Sequence, residues 1–472
     1  MSTTTSLDSK PPKRIFWLGV FSYSILALLA IVFYKERTVF CDVAFRFFAI
    51  IKADDYAIQA NRFGSYFTQS FLYLSQTIGL PLKYVMINYS VGFVIYKALA
   101  FFICLNGLKK PNFALTILLV DVLIVSETFY WIQSELVESL TFLILYFAFL
   151  QYSAERKVHI LRLLLLLGML ITAVFFHPLS FINLTFLSVF LFLSTSDKSF
   201  KKYLLVGLPI VFGVLVIKSL YFKTAYDTSA TSGLNNFIRF FPDYFSIKSN
   251  RHFGHHLWTD YYFLPVLWLA VLGYYAKERY KLKFALLFFF VLGYLLLINV
   301  SLPEGHIIFH MESFYMPLSL FISLAFVKDV LPLLAKKQAI ILLFFIVSCR
   351  LIHIGFQHEK FTAPLEWKEA LIKKTAHLEN KKLAIYYKDA PENLILTWGS
   401  AYEFWMLSTL ETGVSRSIII YDNPKTMTPG RMGSRNVLLS QWGGSFYKDL
   451  PKAYFNLQDS TSGYVLYKPL EE

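Results

Sequence analysis

Eleven apolar runs, each near the length of a bilayer-spanning helix, leave this chain few ways to fold. They lie near residues 15–34, 84–106, 113–130, 136–152, 160–176, 179–195, 203–221, 257–275, 283–300, 314–334 and 338–355. In lipid such a segment satisfies its own backbone hydrogen bonds only as a helix. Composition excludes the soluble alternative: 56% of residues are hydrophobic and 16% charged, with 48 Phe and 30 Tyr. A net charge of +14 does not point to nucleic acid, because the basic residues fall in short clusters between the apolar runs. The first run follows Lys10, Lys13 and Arg14 as a signal peptide would, but no small-residue cleavage site follows it, so it reads as a retained anchor. The expected fold is an α-helical polytopic membrane protein of about 11 transmembrane helices.

The clusters also orient the chain. With a cytoplasmic N-terminus, the inner loops hold Lys109 and Lys110; Arg156, Lys157 and Arg162; Lys198, Lys201 and Lys202; Lys277, Arg279, Lys281 and Lys283; and Lys336 and Lys337. The short outer loops near 131–135, 177–178 and 301–313 contain no Lys or Arg. Two outer loops are long, 35–83 and 222–256. The first contains FRFFAIIK and YFTQSFLYLSQTI, which read as helices lying in the interface plane.

After His358 the composition changes. A helical stretch is followed by strand-like LAIYY (383–387), NLILTW (393–398), SIIIY (417–421), NVLLS (436–440) and YVLYK (464–468). Residues 1–355 are therefore expected to form the transmembrane domain and 356–472 a small extracytoplasmic α/β domain, structural or acceptor-recognising. The cysteines Cys41, Cys104 and Cys349 show neither metal spacing nor a disulfide framework.

Polar residues without a topological task collect on the expected outer side. The first loop carries Asp42, Arg46, Lys52, Asp54, Asp55, Asn61 and Arg62. Carboxylates at headgroup level can deprotonate an acceptor hydroxyl while neighbouring cations hold a lipid phosphate; the plainer reading is a solvated loop. His177 lies in a tight turn, where it either touches a phosphate or caps a helix. His306, His310 and Glu312 precede the tenth run, and His252 and His256 are four apart like His306 and His310. Such pairs can bind a divalent metal, but no four-ligand spacing is present and no metal site is expected. Lys97 and Asp121 each lie twelve residues from the turn near residue 109, so they should meet at one depth as a structural clasp.

This layout resembles the GT-C glycosyltransferases, which include protein O-mannosyltransferases and the aminoarabinose transferase acting on lipid A. The resemblance covers the whole chain in layout and rests on few motifs. Asp42 matches the acidic position after the first span, and Asp54-Asp55-Tyr56 a second acidic position. Val43 stands where the family often has a second acid, and Glu312 to Pro317 resembles a late motif but lacks its Arg. The resemblance implies a bacterial inner-membrane enzyme that moves a sugar from a polyprenyl-phosphate donor to a glycan, lipid or protein acceptor, with no resident cofactor. Asp42 or Asp55, with Asp54 beside it, would serve as base; Arg46, Arg62, His177, His310, Glu312 and His256 would hold substrate. A polysaccharide polymerase or ligase would instead depend on Arg239 and Arg251, and a scaffold or transporter on Lys97 and Asp121.

Overall fold

The computed structural model describes residues 13–225, 232–391 and 395–469. Helix α1 (Lys13–Val32) leads through short α2 (Tyr34–Thr38) to α3 (Cys41–Ala53) and α4 (Tyr66–Thr77), the two helices expected in the first long loop. The apolar series continues with α5 (Leu82–Phe102), α6 (Pro111–Leu123), α7 (Glu135–Ala154), α8 (Ile160–Phe176), α9 (Ser180–Ser194) and α10 (Lys198–Tyr221). Part of the second long loop, 226–231, lies outside the described residues. The loop ends in α11 (Lys248–Thr259), followed by α12 (Phe263–Lys277), α13 (Lys281–Ser301), α14 (Ile308–Ala325) and α15 (Lys336–Phe356).

Each of the eleven apolar runs is thus largely helical, although the third leaves its helix after Leu123 and the eighth is interrupted at 260–262. Among the described residues, seven helices are long and apolar enough to cross a membrane, those beginning at Lys13, Leu82, Glu135, Lys198, Lys281, Ile308 and Lys336. Helices α6, α8, α9 and α12 are apolar but shorter. Local chemistry sets several boundaries. Pro111 opens α6, where its missing N–H costs nothing, and the Asp197 carboxylate accepts from the Ser199 and Phe200 amides to cap α10. Burial distinguishes the helices further. Helix α6 is buried on all sides from Phe113 onward, which explains why Thr116 and Asp121 alone interrupt its apolar sequence there, while α10 exposes Leu205, Phe212, Ile217 and Leu220.

The expected clasp is present. Lys97 Nζ lies 3.2 Å from Asp121, and the Tyr23 hydroxyl donates to the other Asp121 oxygen at 2.8 Å. Between α6 and α7 the chain departs from the expected short turn: residues 124–134 are buried yet almost wholly non-helical. Buried irregular backbone needs partners for its polar groups, and three side chains supply them. Glu312 accepts from the Ser126 and Thr128 amides at 2.7 and 2.8 Å. Arg350 donates to the Val122 and Val125 carbonyls at 2.9 and 2.7 Å, and Arg37 to the Phe129 carbonyl.

The C-terminal region begins with α16 (Glu359–Lys374), nearly continuous with α15. Strand β1 (Lys382–Tyr386), helix α17 (Ser400–Thr412) and strand β2 (Ser417–Tyr421) form a parallel β-α-β unit with Leu383 opposite Ile418. A hairpin of β3 (Val437–Ser440) and β4 (Gly443–Phe446) follows, and β5 (Val465–Leu466) joins the far edge of β1. The expected strand 393–398 starts outside the described residues; its remainder is irregular up to a single turn at Thr397–Gly399.

This region is fastened to the first loop. Lys35 pairs with Glu369 and Glu411 at 2.8 and 2.5 Å, and the Tyr454 hydroxyl donates to the Leu80 carbonyl. Phe48 of α3 meets Trp405 edge-on, and Trp405 stacks on Phe455 with centroids 4.2 Å apart. The tightest joint is polar. Glu403 accepts from the Cys41 amide at 2.7 Å and pairs with buried Lys368 at 2.8 Å.

Candidate active site

Helix α3 starts under constraint. Cys41 has a positive φ of 41°, which a non-glycine residue adopts only when its surroundings enforce it. Glu403 holds its N–H, and Gly399 packs so closely that a Cβ there would lie 2.6 Å from Cys41 Cα. The next residue is Asp42. It faces a cavity of about 480 Å³ formed by α3, the loop before α4, the irregular 124–134 segment, the turn after α8, the start of α14 and two tryptophans of the C-terminal domain.

Five of the expected site residues line this cavity: Asp42, Arg46, Arg62, His177 and His310. Arg46 lies one helical turn after Asp42, so both project from one face of α3. Its guanidinium donates to the Ala57 carbonyl and, at 3.1 Å, to Gln59 Oε1. Gln69 fixes the same stretch by bonding both the amide and the carbonyl of Ala57. Glu135, at the start of α7, lies 3.2 Å from Arg46 and 3.0 Å from Arg62. All three side chains are buried. Arg46 and Arg62 together exceed Glu135 by one positive charge, which ionised Asp42 on the same cavity balances.

Burial raises the Asp42 carboxyl to about 6; Arg46 opposes the rise and Glu135 adds to it. Its ionised form is therefore a stronger base than an ordinary aspartate yet prevails at neutral pH. His177 accepts from the Leu179 amide at Nδ1, 3.1 Å away, which places the proton of its neutral ring on Nε2. Burial, then Arg62, Lys218 and His310, holds its pKa well below the usual histidine value, so the ring is a neutral donor. His310 packs edge-on against Trp131 and Phe314.

The other expected residues lie elsewhere. Asp54 and Asp55 are exposed where α3 ends; Asp54 accepts from Gln76 Nε2 and Asp55 from the Tyr56 amide. Glu312 is fully buried and occupied by the 124–134 segment, with a further bond from the Tyr261 hydroxyl. It shapes the cavity wall that carries Trp131, Gln133 and Glu135 without lining the cavity itself. His256 belongs to a separate cluster. Its Nδ1 lies 2.6 Å from Asp260, whose other oxygen is 3.2 Å from His353 Nε2. Arg239 and Arg251 are exposed and do not line the cavity.

Helix α14 begins after His306, so that residue and His310 do not share a helix. Among the described residues no group of three His, Cys, Asp or Glu side chains is arranged to hold a metal ion. Cys41, Cys104 and Cys349 are free thiols.

The missed residues are Glu135, Gln59, Trp131, Trp398 and Trp442. Glu135 carried one available signal, an acid in a short loop otherwise free of charge. No protein-family model matches the chain, and no curated protein matches it as a relative.

Proposed function

We propose that this chain is a membrane glycosyltransferase of the GT-C type, which moves a sugar from a polyprenyl-phosphate donor to an acceptor on the outer side of the membrane. In this reading all eleven apolar helices cross the bilayer, with the N-terminus in the cytoplasm and the C-terminal domain outside. The lysine clusters at alternate helix junctions support that orientation. Helix α6 has 13 residues, about 20 Å, and the buried 124–134 segment supplies the rest of its crossing.

One observation carries the proposal. Asp42, two arginines and two histidines, drawn from four separate parts of the chain, converge on one cavity. The reaction assigns each a task. The acceptor hydroxyl attacks the anomeric carbon of the donor sugar, and Asp42 takes the proton it releases. The bond from that carbon to the phosphate oxygen breaks, and the electron pair leaves with the polyprenyl phosphate. Arg46, Arg62 and the His177 Nε2–H stabilise that charge as it develops. Glu135 orients the two guanidiniums before the phosphate arrives. Asp42 takes the role of base in preference to Asp55 because Asp55 is exposed outside the cavity.

The test reads the donor. In a strain carrying only Asp42→Asn, a polyprenyl-phosphate sugar should accumulate in lipid extracts, as it does in the deletion strain. Lipid extracts indistinguishable from those of the parent would count against transfer from such a donor.

A further inference from the structure

Two tryptophans of the C-terminal domain stand over the cavity that contains Asp42. Trp398 lies in the single turn Thr397–Gly399, directly before the glycine that packs on Cys41. Trp442 occupies the two-residue connection between β3 and β4. Their ring centroids are 5.4 Å apart with planes inclined by 38°, and Phe45 of α3 meets Trp442 edge-on at 6.0 Å. The hairpin turn does not need an indole: the Trp442 side chain is 64% exposed and adds little to the core. An indole held in water beside a cavity gives up the favourable burial it would gain against a ligand. The turn is nonetheless held in place. Gln441 donates to Asp422 at 3.1 Å and accepts from Thr397 at 3.5 Å, which ties both tryptophan segments together.

Below the indoles the cavity offers carboxylate, amide and guanidinium groups from Asp42, Gln59, Gln133 and Arg46. An aromatic face beside such groups suits a pyranose ring. Its axial C–H face packs on an indole, while its equatorial hydroxyls need in-plane hydrogen-bond partners. We propose that Trp398 and Trp442 form a platform for a pyranose ring of the acceptor. The C-terminal domain thereby supplies the acceptor subsite and the helical domain the base. This inference rests on the transferase reading above, and it makes the acceptor a glycan.

The experiment compares variants in a deletion strain: Asp42→Asn, Trp442→Leu, the Trp398→Leu/Trp442→Leu pair, and the aromatic pair Trp398→Tyr/Trp442→Phe. Surface glycans are measured by mass spectrometry, and protein by immunoblot and melting in detergent. The platform predicts that the leucine pair, at parental abundance and melting temperature, loses glycan roughly tenfold, as expected for two lost stacking contacts. The aromatic pair retains most of it. If the leucine pair fails to accumulate, Trp442→Leu is read alone, since its exposed side chain can be replaced without repacking, and roughly threefold loss is expected.

Full glycan in the leucine variants with none in Asp42→Asn overturns the platform and leaves the transferase reading intact. Equal loss in the leucine and aromatic pairs also overturns it, because packing and not the ring face would then be limiting. Full glycan in Asp42→Asn overturns the transferase reading, and the platform with it.

Discussion

Replacing Glu403 with glutamine removes one charge from a pair almost sealed from water. The two carboxylate oxygens have separate tasks: one accepts the Cys41 amide at 2.7 Å, and the other meets Lys368 at 2.8 Å. The Glu403 and Lys368 side chains are 1% and 2% exposed, so solvent cannot replace either partner. Glutamine keeps an acceptor for Cys41, which isolates the effect of charge. Stranding a buried ammonium costs about 3–5 kcal/mol. Glu403→Ala adds about 1–3 kcal/mol, because the amide of fully buried Cys41 then loses its acceptor. Adding Lys368→Met to Glu403→Gln removes the stranded charge and should restore most of the loss.

Lys368 on α16 and Glu403 on α17 both belong to the C-terminal region, so the cost falls on the packing of that region where Glu403 meets α3, and global melting is the wrong probe. Limited trypsin digestion in detergent samples local opening of that region directly. When opening is fast compared with cleavage, the rate follows the open population. A loss of 3–5 kcal/mol should raise cleavage within 359–469 by about a hundredfold or more. Cleavage within about threefold of the parent, or no rescue by Lys368→Met, would refute this account of the pair.

Three further outcomes follow from the same geometry. Gly399→Ala places a methyl group 2.6 Å from Cys41 Cα, a backbone atom that cannot move aside, and should cost about 1–3 kcal/mol in the same digestion assay. Lys97→Met strands Asp121, whose side chain is 1% exposed; detergent melting should show a loss of about 3 kcal/mol or more, eased by adding Asp121→Leu. Transfer should fall as pH drops through about 6, because Asp42 acts ionised and protonation removes the base. A rate flat from pH 7.5 to 5 would assign the proton transfer to another group.

The helices were legible because a long apolar run in lipid has one stable local structure. The clasp was legible too, because equal spacing from a turn puts Lys97 and Asp121 at one depth. The site was legible only in part. Asp42, Arg46, Arg62, His177 and His310 carried charge or imidazole into loops where nothing else required it. Glu135 did not stand out, because its meaning lies in partners 89 and 73 residues away in sequence. Glu312 was expected to bind substrate; the chain unwinds over 124–134, and the amides freed there engage it instead. Trp398 and Trp442 were invisible for a related reason: only the docking of the C-terminal region against the first loop brings them over α3.

The most direct test of the central claim compares Asp42→Asn with Asp55→Asn in the deletion strain, reading surface glycans and lipid-linked sugars together by mass spectrometry. With Asp42→Asn, the account predicts that one glycan disappears and a polyprenyl-phosphate sugar accumulates, while Asp55→Asn matches the parent in both. A full glycan complement in an inserted Asp42→Asn protein would contradict it.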